Sequence, residues 1–431
     1  MPKIPVRRSK NSVRYFLLLV VALLFLFLSS DFGLIDIQKT AIVMAVGVDR
    51  EDETFIVTSQ IAVPQSSKQG KATQTVQIVS RGNTVAQAFE EINAKTGWYP
   101  KLVFCHLIIL GEKTAQENVF DALDFFLLDE YMSDNCLVAT CDGTAKDLLN
   151  VTALIDPSGS VAMQKVLSPH AERAGTVLPA TLREFAIGYF SDGRSAYLPI
   201  LKTQPQQEKI GEEQGNSSGG SSAPNSSGES GQGGSSSSGS ESGQGGQGGQ
   251  SGQSEQGGGE QDKPVFSASE TALFLAGKRV GTLTKEETFA FNAVKNKLRL
   301  AAYSVTEESG AYTLSIKRNT PKTKFKIGAD GRASYKIEVT LSAGLLDYSK
   351  ALSLSEGKDA GDVPSAVFDS AEKRLSGHIK TAFEKCRAAN CDIFGLVEDL
   401  QKKNKKEFES LKSEILENAV LEVSVRFRNI R

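Results

Sequence analysis

The sequence predicts an α+β fold in which strands and helices are mixed along the whole chain. Three observations carry that expectation. β-Branched runs such as TAIVMAVGVD and TFIVTSQIAV alternate with segments whose apolar residues recur at helical spacing. Several of those segments open on a Thr followed three residues later by Gln or Glu, the pattern of a capping box. The strand runs also come in short groups that read as antiparallel. With 431 residues, the chain has room for two or three domains.

The N-terminal stretch MPKIPVRRSKNSVR carries Lys3, Arg7, Arg8, Lys10 and Arg14 with no acid to balance them. Residues 1–14 therefore read as a cytoplasmic flank, and everything after Asp31 as extracytoplasmic. Residues 15–30 are uncharged and apolar. At ~1.5 Å per residue they give roughly 24 Å of helix, slightly short of a ~30 Å hydrocarbon core. Phe32, Leu34 and Ile35 beyond Asp31, with a snorkelling Arg14, lengthen the effective anchor. Two fates stay open: a retained single-pass transmembrane anchor, or a signal segment cleaved after Ser30, for which Leu28 matches the A-x-A pattern poorly.

Residues 36–203 form a first α+β domain. TAIVMAVGVD and TFIVTSQIAV, joined through the charged residues 50–53, read as a hairpin, with TVQIVS as a third strand. Thr84 and Gln87 open a helix with Val85, Ala88, Phe89 and Ile92 on one face, which Gly97 closes. VFCHLIIL reads as a buried strand. Thr114 and Glu117 read as a second capping box, opening a helix through Val119, Ala122, Leu123 and Phe126. CLVATC is another strand, residues 144–190 are mainly helical with a third box at Thr181 and Glu184, and SAYLPILK closes the block.

Residues 204–264 are nearly all Gly, Ser, Gln and Glu, a composition that cannot bury a core and predicts a disordered linker. A flexible coil of this length would hold its ends roughly 40 to 45 Å apart, which leaves the flanking blocks free to move independently or to reach separate partners. Its GQGG repeats lack the strand and helix that give a phosphate-binding loop its chemistry.

A middle domain at 265–328 begins with ETALFLAGKRVGTL, a hairpin turned at Gly277 and Lys278, followed by a box at Thr284 and Glu287 and a helix carrying Phe289, Phe291 and Val294. Basic strands run from about 298 to 327. The C-terminal α+β domain, 329–431, starts with the strand SYKIEVTLSA. Its first helix, from near Pro364, aligns Val367, Ala371, Leu375, Ile379, Ala382 and Cys386. A second helix over VEDLQKKNKKEFESLKSEILEN and a last strand, AVLEVSVRFRNI, complete it.

The order of several weak motifs resembles one family, the Ger(x)C-like C subunits of spore germinant receptors. Such proteins carry a lipobox followed by a C-W-D-x-R-E-I-like start. Here Leu28, Ser29, Ser30 and Asp31 stand in the lipobox, Phe32 takes the tryptophan place, and Asp36 and Ile37 the E-I. VMAVGVDR, RGNTVAQAFEEI, LVFCHLIILGEKTA, DGRSAYLPIL, LFLAGKRVGTLTKEET and CDIFGL resemble later family segments. The lipobox is degenerate: Asp31 has no thiol, so lipidation there is chemically impossible, and the resemblance then implies a transmembrane helix in place of the lipid. The long Gly/Ser/Gln insertion also departs from the family pattern.

The resemblance implies three mixed α/β domains of the Ger(x)C type behind an N-terminal membrane anchor, outside the spore inner membrane. It implies two multi-spanning receptor subunits as partners, one of them transporter-like, and a non-catalytic role in assembly or signalling during germination. The alternative is a membrane-anchored envelope protein that binds ligand or assembles a different membrane complex.

Side chains that could carry chemistry fit the non-catalytic reading. His106, His170 and His378 are scattered without a metal-ligand pattern, and no nucleophile-elbow or zinc-protease motif is present, so no enzyme, cofactor or metal is expected. Asp49, Asp192 and Asp392 sit where turn capping is the default. The five cysteines are too few for a disulfide scaffold, and Cys136 and Cys141 should face opposite sides of one strand. The formal net charge of −2 hides a cationic stretch. Lys278, Arg279, Lys317, Arg318, Lys322, Lys324 and Lys326 are candidate contacts for anionic lipid or an acidic partner, against the plainer reading of a solvated strand face. Nucleic acid is not expected as a partner for an exported chain.

Overall fold

The computed structural model describes residues 10–29, 39–63, 74–151, 156, 158–168, 175–204, 265–307, 310–328, 332–349 and 363–430. The degenerate lipobox straddles that limit. Leu28 and Ser29 end helix α1 (Lys10–Ser29), while Ser30 and Asp31 lie outside the described residues, as do His170 and the tract 205–264. The side chains described for α1, residues 13–25, are all exposed. Among the described residues no helix is long and apolar enough to cross a membrane.

A nine-stranded sheet forms the first half. β1 (Thr40–Glu51) and β2 (Thr54–Val63) make the expected hairpin, turned at Asp52 with φ 52°, and β3 (Gln74–Gly82) pairs β2 antiparallel. After α2 (Val85–Thr96) the chain returns through β4 (Tyr99–Lys101) and β5 (Leu107–Leu110), both parallel to β1. α3 (Glu112–Gln116) and α4 (Phe120–Leu128) lead to β6 (Leu137–Cys141), parallel to β5. α5 (Ala145–Leu149), α6 (Gly159–Leu167) and α7 (Leu182–Phe190) precede β7 (Ser195–Gln204), parallel to β6. Then β8 (Val265–Leu275) and β9 (Lys278–Leu283) add two antiparallel strands, giving the order β3-β2-β1-β5-β6-β7-β8-β9.

Residues on alternate sides of each central strand enter different cores. Ile108, Leu110 and Val138 pack with α2, α4 and α7, whereas Leu107, Ile109, Ala139 and Cys141 pack with α5 and α6. The sheet is therefore buried on both faces, which explains why LIIL and LVATC lack polar alternation. Cys136 and Cys141 fall in opposite cores, as their odd spacing predicts.

A second sheet follows α8 (Lys285–Val294). β10 (Ala301–Glu307), β11 (Gly310–Ile327) and β12 (Ala333–Tyr348) run antiparallel in sequence order. α9 (Ser365–Ala388), α10 (Leu396–Lys403) and α11 (Phe408–Leu411) intervene before β13 (Val420–Asn429) pairs β12 in parallel. α8 and α9 share one core with a single face of this sheet, and the stripe from Val367 to Cys386 is buried as its spacing predicts.

Several expectations are corrected. The strands are not all in antiparallel groups: the centre of the first sheet is parallel, its strands connected by crossovers rather than hairpins. VFCHLIIL is a strand only from Leu107, because the chain turns at 102–105, where Cys105 N–H donates to Leu102 O at 2.8 Å. Thr114 does not cap a helix. Its buried hydroxyl donates to Val48 O at 3.0 Å, fastening α3 to β1, and α4 starts at Phe120. The long second C-terminal helix breaks at Asn404. The β8–β9 turn centres on Ala276 and Gly277, both with positive φ, one residue earlier than read.

The largest correction concerns the linker. Gln204 and Val265 are direct partners in the antiparallel ladder of β7 and β8. Paired residues lie about 5 Å apart, so the tract leaves and re-enters one hairpin instead of separating two independently moving blocks. The strands at 265–283 belong to the first sheet and those at 301–327 to the second.

Candidate functional site

Asp49, at the end of β1, is buried and accepts from Ala145 N–H at 2.7 Å and Lys146 N–H at 3.0 Å, the first residues of α5. Gly111 must be Gly, because a Cβ there would meet Asp49 Oδ1 at 2.0 Å. Glu112 completes the knot by accepting from Gly143 N–H at 3.1 Å. Burial pushes the Asp49 carboxyl above its usual range, the two backbone donors hold it back, and Asp147 and Glu51 push it further up. Both oxygens are engaged by the backbone, so this acid ties β1 to α5.

Asp392 does the same for the second half. Its carboxylate accepts from the N–H groups of Gly395, Leu396 and Val397 at 2.9, 3.0 and 2.7 Å, capping α10. Its own N–H donates to Ser195 Oγ at 2.8 Å, at the start of β7. Cys391 Sγ donates to Phe274 O at 3.2 Å, and Phe394 stacks edge-on against Phe291 and Phe383 at 5.0 and 5.2 Å. Gln401 donates to Asp192 at 2.6 Å. CDIFGL is thus the latch between the two sheets. Burial raises the Asp392 carboxyl and also pushes the Cys391 thiol up to about 12, which leaves the latter a poor nucleophile.

Two clefts adjoin these elements. One, of about 650 Å³, is lined by Cys105, His106, Asn135, Cys136, Glu184 and Lys297. His106 Nε2 is buried there with no hydrogen-bond partner among the described residues, and burial lowers the pKa of the imidazole. Cys105 and Cys136 lie thiol to thiol, and that contact, together with burial, raises the Cys136 pKa. This neighbourhood of two thiols has no sequence signal, since the residues come from separate segments. The other cleft, about 550 Å³, lies where α7 meets the CDIFGL turn and includes Tyr197, Lys295, Asp392 and Glu398. Confinement in it lowers the Lys295 pKa despite the neighbouring carboxylates. His378 lies on the flank of the α9 stripe, and its buried Nδ1 also has no partner among the described residues. All five cysteines are free and buried.

The predicted cations lie on strands of two different sheets. Lys278 and Arg279 lie on β9 of the first sheet, where Arg279 pairs with Asp142 at 3.2 Å and donates to Thr282 at 3.1 Å. Lys317, Arg318, Lys322, Lys324 and Lys326 lie together along β11, all exposed.

The chain is a mixed α/β body of two sheets in which the motif acids Asp49 and Asp392 accept hydrogen bonds from the backbone. Residues 34–203 match the family described as spore germination protein N-terminal domain, and residues 269–431 the family described as spore germination B3/GerAC like, C-terminal. The chain therefore belongs to the GerAC-like, or Ger(x)C, family of spore germination proteins. A solved structure, "Crystal Structure of the GerBC protein", shares its fold with a TM-score of 0.51 at 16% identity, covering 90% of this chain and 97% of that one. No curated protein matches.

Proposed function

We propose that the chain is the C subunit of a nutrient germinant receptor complex, a non-catalytic assembly or signalling component on the outer face of the spore inner membrane. The observation that carries this reading is the family match on both sides of the Gly/Ser/Gln tract. The locks formed by Asp49 and Asp392 agree with it, because both carboxylates accept from backbone N–H groups and so tie elements of the fold together. Its partners are two multi-spanning subunits, one transporter-like.

The N-terminal segment serves in this reading as a single-pass anchor with its N-terminus in the cytoplasm. Support comes from the exposure of every described side chain of α1, including Leu17, Leu23 and Phe25, which leaves that apolar surface without cover from the body. Asp31 in place of the lipobox cysteine removes the other means of attachment. Affinity purification from detergent-solubilised spore inner membrane tests the proposal. Co-purification of a multi-spanning transporter-like subunit is expected. Recovery without one, or absence from spores, would favour the membrane-anchored envelope protein instead.

A further inference from the structure

The register of the second sheet gathers cations from three strands onto one face. Phe325, Tyr335, Ile337, Leu341, Val425 and Phe427 point into the core, so their neighbours at alternate positions point away from it. On that outer side Arg318, Ser342 and Arg428 stand in one row, Thr320, Thr340 and Arg426 in the next, and Lys322, Glu338 and Ser424 in a third. Lys324, Lys336 and Glu422 follow, then Lys326, Ser334 and Val420. Glu338 and Glu422 are the acids within these rows. Lys324 and Lys336 share Glu338 at 3.5 and 3.2 Å, while Arg318, Lys322, Lys326, Arg426 and Arg428 make no ion pair among the described residues. The whole chain has 49 bases and 51 acids, so the excess is local. The face stands open: the Lys324 side chain is 59% exposed, and Arg426 and Arg428 in the rows further along are exposed as well.

We infer that this sheet face docks on a membrane surface through anionic phospholipid headgroups. Charge complementarity gives the sign of the partner, and the form of the face gives its kind. Between the cations lie Ser and Thr, the acids Glu338 and Glu422, and a single aliphatic side chain, the exposed Val420 at the end of the last row, whereas a protein interface centres on a cluster of buried aromatic and aliphatic anchors. Rows of long, flexible cations fit a laterally mobile layer of headgroups, to which attraction is additive and salt-dependent. The inference rests on the second sheet alone and not on α1 spanning the bilayer.

The test uses the full chain mixed with vesicles of phosphatidylglycerol or of phosphatidylcholine, followed by amine acylation and mass spectrometry of each lysine. Labelling of Lys322, Lys324 and Lys326 should fall roughly fivefold on phosphatidylglycerol alone and recover at about 1 M salt, where the Debye length shrinks to ~3 Å. Lys402 and Lys405, on the α10 side, should be unchanged. An Arg426→Glu/Arg428→Glu variant with native circular dichroism should lose the protection of the three lysines without altering them. Equal labelling on both lipids overturns the inference, as does protection shared equally by Lys402 and Lys405. Protection that appears only with a co-purified protein overturns it too, and assigns the face to an acidic protein. Flotation with phosphatidylcholine reports on α1 separately.

Discussion

At the scale of single residues, the two acids that stand out in sequence owe their positions to backbone donors. Asp49 follows a glycine-x pattern at a strand end, and Asp392 opens D-I-F-G. The default reading as caps holds for both. What the sequence could not show is the distance across which they act, since Asp49 binds α5 nearly a hundred residues downstream. Their titration gives a test. Burial raises the folded-state pKa of Asp49 above its ordinary value of 3.8, so the native state retains a proton that the unfolded chain releases. The sign follows: as pH rises from about 4 through the raised value, the unfolded state gains in relative stability, and above that value the effect is constant. Asp49→Asn cannot titrate. Urea unfolding of wild type and variant across this range should show the wild type losing stability relative to the variant as pH rises, and parallel curves would refute the assignment.

At the scale of elements, local signals were reliable where they close within one helix and failed where a partner from elsewhere decides. Thr181 with Glu184 and Thr284 with Glu287 form complete capping boxes. Thr84 accepts from Gln87 N–H, but the Gln87 side chain turns to Asn83 N–H, leaving that box half made. Thr114 has the right spacing and the wrong surroundings, because β1 takes its hydroxyl. The cations of β12 and β13 were missed for a similar reason: period-two alternation shows which residues share a face, yet the register that aligns three strands is set by pairing. The α8 box supplies a test of local against tertiary contributions. Glu287 caps the helix and also meets Lys385 of α9 at 2.7 Å. Thr284→Ala should cost about 1 kcal/mol. Glu287→Ala should cost more, since it strips both the Thr284 N–H and Lys385 of their buried partner. Equal urea midpoints for the two variants would show that the α8–α9 pair contributes nothing.

At the scale of the whole molecule, composition identified the Gly/Ser/Gln tract but not its place in the fold. The clue lay in its flanks, since SAYLPILKTQ and VFSASETALFL are both strand-like up to the edges of the tract, as two arms of a hairpin would be. Gln204 and Val265 are paired, so forming the sheet requires closing a loop of about 60 residues, at an entropic cost that grows as (3/2)RT ln n. Replacing residues 205–264 with a four-residue turn shortens the loop about fifteenfold and should stabilise the body by about 2 kcal/mol. The variant should keep the same circular dichroism and raise the urea midpoint, because no ladder bond between β7 and β8 is altered. If the tract were instead a spacer between separate domains, so short a connection would tear the nine-stranded sheet or force the halves to pair between chains. Size-exclusion chromatography would then show dimers, and the midpoint would fall.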